Sequence, residues 1–305
     1  MIAALAGGVG AARFLTGLTK LVKAEDLSVI VNTGDDIELF GLHISPDIDI
    51  ITYTLAGIVD EAKGWGIRGD TFRCLDMLKK HGLDAWFGLG DRDLATHLYR
   101  THRLKQGFTL AQITDEVCDV LGLKVKILPM TNDLFETRVT TREGSMHFEE
   151  YFVREQAKDD VLGVEFVGAA AAKPSSGVLD AILDADTVVV CPSNPVVSIG
   201  TILSVCGVRD ALRRTSARVV GVSPIVAGLP IKGPADKMLR SLGLEVSAFG
   251  VAKFYSDFLD EFVIDTKDAE KRVAIEKLGI NVKVTNTVMK SLEDKVALAK
   301  VVLED

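Results

Sequence analysis

The sequence predicts an α/β fold: a Rossmann-like, mostly parallel sheet with a helical insertion and a small β-rich elaboration. Three observations carry that expectation. Short β-rich runs alternate with amphipathic stretches near both ends of the chain, as they do when crossover helices link parallel strands. The apolar run at residues 2–5 enters Ala6-Gly7-Gly8-Val9-Gly10-Ala11-Ala12-Arg13, after which Phe14, Leu15, Leu18, Leu21 and Val22 follow at helical spacing, so a strand, a glycine-rich loop and a helix succeed one another. Finally, three apolar runs end in small polar residues, at Asn32, at Ser193-Asn194 and at Ser223. Open parallel sheets bind ligands at that carboxyl edge.

The remaining elements are read in order. Leu27–Val31 is a second buried strand. Residues 47–122 carry little strand pattern and read as mainly helical, too long a stretch for one crossover. From 125 to 167 the character turns β-rich, with Glu136–Thr141 and residues 146–153 flanking Arg142-Glu143-Gly144-Ser145 as a hairpin. The alternation resumes with strands at 187–191, 217–222 and 244–248, and a last helix covers 291–303. The nucleotide-binding core is therefore expected over 1–46 and 168–305, a helical insertion over 47–124 and the β-rich elaboration over 125–167.

With 35 Lys+Arg against 43 Asp+Glu the net charge is −8. Such a surface lacks the basic excess that displaces counterions from DNA or RNA, so no nucleic-acid partner is expected. A phosphorylated small molecule stays open, because backbone N–H groups and a metal ion supply local positive charge. At 48% hydrophobic and 26% charged, the chain has the apolar material for a globular core. Cys74, Cys118, Cys191 and Cys206 are widely spaced, with no C-x-x-C pair, and read as reduced thiols rather than zinc ligands. No basic stretch precedes the apolar start, and Pro192, Ser193, Asn194 and Pro195 interrupt the uncharged run at 187–208. Neither a signal peptide nor a membrane span is expected, and the protein reads as cytoplasmic.

Several segments offer chemistry. Gly7-Gly8-Val9-Gly10 lets the backbone approach a ligand closely and presents helix N-terminal amides to an anion. It lacks the Gly-Lys-Ser/Thr ending of a Walker A loop, and Arg13 stands where a Rossmann fingerprint has its third glycine. A tight turn without ligand is the alternative. Asn32-Thr33-Gly34-Asp35-Asp36 offers two carboxylates that suit a hard cation beside phosphates, or a solvated turn. Ser45-Pro46-Asp47-Ile48-Asp49 adds two acids, on one side if that segment is extended. Leu89-Gly90-Asp91-Arg92-Asp93-Leu94-Ala95-Thr96-His97 combines cation, phosphate and proton chemistry, or simply caps a helix. Ser193 and Asn194 suit an N-cap as well as a base or phosphate. Trp65, Trp86, Phe254 and Tyr255 read as core or interface residues, and no Ser-His-Asp or Cys-His order suggests a covalent nucleophile.

Taken together, these segments resemble the 2-phospho-L-lactate transferases of deazaflavin coenzyme F-420 biosynthesis, the CofD family. The resemblance runs through Gly7-Gly8-Val9-Gly10, residues 32–36, 45–49, Trp65-Gly66, 89–97, His147-Phe148, 192–200 and 223–237. It implies a Rossmann-like core with a smaller subdomain, a homodimer and a Mg²⁺ requirement. It also implies a reaction, in which the ribityl hydroxyl of the deazaflavin Fo attacks the β-phosphate of a guanosine diphosphate-linked lactate and GMP leaves. In bacterial relatives an enolpyruvyl donor takes the place of the lactyl one. On this resemblance Gly7, Gly8, Val9 and Gly10, with Arg13, Asn32, Ser193, Asn194 and Ser223, fall at the nucleotide and its phosphates. Asp49 and Gly88 match Fo-contacting positions, with Asp91 beside them. Asp35, Asp36 and Asp49 are the candidates for Mg²⁺, and Asp49 and Arg92 the candidates for catalysis, orienting the hydroxyl and neutralising phosphate charge. A non-catalytic relative that binds a nucleotide sugar is the alternative, and a nicotinamide oxidoreductase is disfavoured by Arg13.

Overall fold

Strands that read Ile-Ala-Ala-Leu-Ala and Leu-Ser-Val-Ile-Val carry no charge and can be covered on both faces, as parallel strands are. In the structure, a computed structural model describing residues 1–304, they are β1 (Ile2–Ala6) and β2 (Leu27–Val31). A hairpin follows, β3 (Ile37–Leu39) and β4 (Leu42–Ile44), then β5 (Lys126–Pro129). A separate antiparallel sheet holds β6 (Glu136–Thr141), β7 (Gly144–His147) and β8 (Gly163–Val167), β6 lying between the other two. Next come β9 (Thr187–Val190) and β10 (Arg218–Val222), a short pair β11 (Ile225–Val226) and β12 (Leu229–Pro230), and finally β13 (Glu261–Asp265) and β14 (Asn281–Thr285).

Seven strands form one parallel sheet in the order β14-β13-β10-β9-β1-β2-β5. The chain builds outward from β1 in one direction, returns, and builds outward from β9 in the other. The switch of direction falls between β1 and β9, where Leu5 lies opposite Val190, and a crevice opens at the carboxyl ends of such neighbours. Successive side chains go to opposite faces. Ala3, Leu5, Val188 and Val190 face one core with Val178, Ile182 and Val208, while Ala4, Ala6 and Val189 face a second with Phe14, Leu18 and Leu298. Helix α1 (Gly8–Leu18) covers this second face against the last helix, Leu292–Leu303, and α2 (Pro46–Leu55) packs on α1. Helices α3 (Arg73–Lys80), α4 (Asp91–Lys105) and α5 (Leu110–Val120) complete the helical insertion.

Three local expectations are corrected. Residues 244–248 alternate apolar and polar but form a turn into the helix Ala248–Phe254, because Ser247 caps that helix by accepting from the Gly250 amide. The strands in this region are β13 and β14 instead. Residues 146–153 do not continue as one strand: β7 stops at His147, and Glu150–Arg154 is a π-helical turn that stacks Phe148 on Phe152 (centroids 5.6 Å apart). The first helix starts at Gly8, so Gly8 and Gly10 lie in its opening turn and Gly7 is its N-cap, rather than all three preceding it. Among the described residues no single helix is long and apolar enough to cross a membrane.

Glycine at two of these positions answers a close approach. A Cβ on Gly7 would lie 2.7 Å from Asp47 Oδ2 and from Ser198 Cβ, and one on Gly10 would lie 2.2 Å from the Pro192 carbonyl oxygen. Gly10→Ala must push α1 away from the end of β9, and it is expected to cost about 1–3 kcal/mol, as overpacking does. Thermal denaturation measures this, and an unchanged melting temperature would refute the close approach.

Candidate active site

A cavity of about 910 Å³ occupies the carboxyl edge at the β1/β9 switch. That volume lies toward the upper end of the ~300–1,000 Å³ usual for small-molecule sites. Gly7, Gly8, Val9, Gly10 and Arg13 line it from the opening turn of α1, and Pro192, Ser193 and Asn194 from the exit of β9. The Gly7 amide donates to Ser193 Oγ at 3.2 Å, which ties the two strand ends together. Asn194 accepts from the Val196 and Val197 amides, capping the turn Pro195–Gly200.

Behind this turn lies a group of buried acids. Asn32 is fully buried, and its Nδ2 lies 3.0 Å from Asp35 Oδ2, 2.9 Å from Asp47 Oδ2 and 3.3 Å from the Val197 carbonyl. Asp35, Asp47 and Glu149 all line the cavity. Burial, then the charges of Asp47 and Glu149, push the Asp35 pKa well above the usual carboxylate range. Burial likewise raises Asp47 to about 7 and Glu149 to about 8, the latter with help from Asp47 and Asp36. Asp35 Oδ1 is buried with no partner. Oxygen donors crowded together at the expense of their ionised forms suit a hard cation such as Mg²⁺.

The second wall comes from the other side of α2. Because residues 46–55 are helical, Asp47 and Asp49 are separated by ~200° around the axis and face different neighbours. Asp49 turns to α4, where Asp93, His97 and Arg100 follow at helical i, i+4, i+7 spacing and are all buried. Arg100 grips both Asp49 oxygens, with Nη1 at 3.0 Å from Oδ2 and Nη2 on Oδ1. Burial raises the Asp49 pKa, and Arg100 and then His97 pull it back. One ligand atom from each of Asp49, Asp93 and His97 lie within 4.8 Å of one another, a spacing that a metal could use. The guanidinium on Asp49 speaks against a dication there, since it already neutralises that carboxylate. Tyr53, Trp65, Phe87, Phe148 and Phe152 also line the cavity, apolar surface suited to a flat ring.

Of the residues singled out in the sequence, Gly7, Gly8, Val9, Gly10, Arg13, Asp35, Asp49, Gly88, Ser193 and Asn194 line this cavity. Gly88 sits under the Trp65 ring, which a Cβ there would meet at 2.6 Å. Asp47, Trp65, Asp93 and His97 from the same segments line the cavity too, whereas Asn32, Asp36, Asp91, Arg92 and Ser223 do not. Asp36 turns to the β3–β4 hairpin, accepting from Ser45 Oγ at 2.7 Å and lying 2.9 Å from His43 Nε2. Asp91 accepts from the Thr71 hydroxyl and the Arg73 and Cys74 amides at the start of α3, while Asp70 accepts from the Arg92 and Asp93 amides at the start of α4. Arg92 is exposed. Ser223 is buried and closes on Ile225, donating to its carbonyl and accepting from its amide. Trp65, read as a core or interface residue, is 40% exposed and lines the cavity.

The sequence reading left out Glu149 and Arg100 and passed over Asp47 when it named metal candidates. Arg100 carried a signal, since Asp93, His97 and Arg100 make a polar stripe along one face of a helix. Glu149 carried none, standing in a segment read as strand.

The sheet order and the switch-point cavity define a Rossmann-like α/β protein with a small-molecule-sized cavity between the start of α1 and buried carboxylates. The chain belongs to the family described as 2-phospho-L-lactate transferase CofD, whose pattern matches residues 2–301, and it is a transferase. It is 45% identical over 309 residues to a phosphoenolpyruvate transferase of Kitasatospora aureofaciens, covering 99% of this chain and 96% of that one. It is 40% identical over 299 residues to a 2-phospho-L-lactate transferase of Methanosarcina acetivorans, covering 98% and 97%. The crystal structure of a UPF0052-family protein from Bacillus halodurans shares the fold, with a TM-score of 0.67 at 16% identity over 99% of this chain and 98% of that one.

A pH dependence follows from the acid group. With divalent metal chelated, Asp47 and Glu149 hold protons in the folded state up to about 7 and about 8, against 3.8 and 4.5 for the free groups. Between those limits the folded state binds more protons than the unfolded one, so stability falls as pH rises. Melting temperatures in chelator should therefore decline from pH 5 to 8, and Glu149→Gln should flatten the decline. A melting temperature that rises across this interval in the wild type would contradict the burial of these acids.

Proposed function

We propose that this chain moves a 2-phospholactyl or enolpyruvyl phosphate group from a guanosine diphosphate-linked donor to the terminal ribityl hydroxyl of the deazaflavin Fo, with Mg²⁺, in coenzyme F-420 biosynthesis. A bond forms between the hydroxyl oxygen and the donor's β-phosphorus. The bond from that phosphorus to the oxygen bridging the two phosphates breaks, and GMP leaves. The observation that carries the reading is that one cavity is lined by the opening turn of α1, by Asp49 and by five aromatic side chains. The two curated relatives named above, a phosphoenolpyruvate transferase and a 2-phospho-L-lactate transferase, support the choice of donors.

Transfer of this kind asks for alignment and charge neutralisation more than for covalent help. In this reading the α1 amides, Arg13, Ser193 and Asn194 hold the donor's phosphates and nucleoside. Trp65, Phe87, Phe148 and Phe152 offer the deazaflavin ring its apolar surface, with Gly88 leaving room for the Trp65 ring. Asp49 accepts the hydroxyl hydrogen and aims its oxygen at phosphorus. Asp35, Asp47 and Glu149 would hold Mg²⁺, in place of the grouping with Asp36 and Asp49. When bound, that ion would offset phosphate charge as the bond to GMP breaks. Arg92, exposed on α4, has no part in the reading.

Incubating the protein with Fo, Mg²⁺ and each donor, with products resolved by mass spectrometry, tests this directly. The expected outcome is a metal-dependent phosphodiester and GMP, with the preferred donor naming the acyl group. Binding of Fo or of the nucleotide without product would overturn it in favour of a non-catalytic protein. Asp49→Asn should lower kcat by ~10²-fold or more, the scale of a lost proton acceptor, and near wild-type turnover at saturating Mg²⁺ would remove Asp49 from the chemistry.

A further inference from the structure

Arg100 heads the fully buried side chains of this protein by size. It points from α4 to α2, and it does not line the cavity, whereas Asp49 does. Its two terminal nitrogens both go to Asp49, and Nη1 also lies 3.2 Å from His97 Nδ1. A guanidinium can only donate, so His97 Nδ1 accepts and the ring carries its proton on Nε2. That Nε2 is 3.3 Å from Asp93 Oδ1, and Asp93 in turn accepts from the Tyr53 hydroxyl at 2.9 Å.

A buried ion pair is a poor way to hold two helices together, because well-packed apolar residues do so without desolvating charge. What the pair supplies is orientation. A lone carboxylate turns about its χ2, but a two-pronged hold fixes the plane of both oxygens. Each oxygen of Asp49 accepts from Arg100 and keeps a further lone pair, and only Asp49 of the two reaches the cavity. His97 accepts from Arg100 and so fixes the guanidinium in its turn.

We propose that Arg100 is a positioning residue for the transfer, which from behind the cavity wall sets the Asp49 carboxylate in the orientation that accepts the hydrogen of the attacking alcohol. The inference rests on the transfer reading given above. Lysine at this position would keep the charge and lose the two-pronged hold.

Steady-state kinetics of Arg100→Lys, Arg100→Met, Asp49→Asn and the two double variants separate the possibilities. Wild-type turnover comes first, and absence of product from either donor would end the transfer reading itself before any variant is made. Given turnover, Arg100→Lys is expected to lower kcat by roughly 10- to 100-fold, the cost of misplacing a reacting group by about 1 Å, with the donor KM little changed. In the Asp49→Asn background the same change should add less than about 2-fold, because residues acting through one another are not additive. Losses that multiply across the double variant, or a lowered melting temperature with kcat per folded molecule intact, would show Arg100 to be structural and overturn the proposal. Should Arg100→Met fail to fold with Asp49 left unpaired, Arg100→Lys and Asp49→Asn/Arg100→Met carry the comparison.

Discussion

The buried amide of Asn32 is the interaction on which the rest of the site depends. One nitrogen lies against a carboxylate from its own loop, a carboxylate from α2 and a carbonyl from the turn after β9. Its oxygen accepts from the Gly34 amide at 2.8 Å, so donor and acceptor capacity are both used. A buried amide without partners is costly, which makes such a junction specific as well as stabilising. The end of β2, the start of α2 and the switch point of the sheet are thereby held in one arrangement, and two acids are kept close despite their repulsion.

From that junction α2 divides the chemistry between two sides. Pro46 at the first helical position and the acids in the first turn favour a helix start. Once the segment is helical, Asp47 faces the acid group beside the opening turn of α1, and Asp49 faces the stripe of α4. The acid group is short of positive charge and suits a cation beside phosphates. On the α4 side Arg100 already pairs with the buried Asp49, which still lines the cavity. One short helix thus gives the cavity two chemically different carboxylates.

The close backbone approach at the switch point serves the same division. Gly7 and Gly10 let α1 start against Asp47 and against the Pro192 carbonyl. The opening amides of α1 therefore arrive beside the acids rather than a side-chain length away. Substitution of either glycine would move the opening turn of α1 as a unit, since the turn is also tied to Ser193.

Much of this was readable in the chain itself, for physical reasons. Short, β-branched, uncharged runs such as 27–31 and 187–190, bounded by turn residues, read as buried strands, and the glycines between β1 and α1 announce a backbone that must pass close to something. Those features, with the motifs they flank, were enough for the fold class and the family resemblance, and for the strand ends where the cavity opens. Strand β13 escaped because Glu261 and Asp265 sit at its ends and conceal an apolar centre, while 244–248 imitated a strand through alternation that a capping serine overrides. The side-chain company of each acid was decided only by tertiary structure. Asp36 and Asp47 are equally acidic in the sequence, yet the first turns to a hairpin and the second to Asn32; Glu149 and Arg100 enter from segments 100 and 51 residues away from Asp49. Local sequence sets which face a side chain takes once its segment's conformation is known. Which charges meet depends on long-range packing and on the need of every buried charge for a partner.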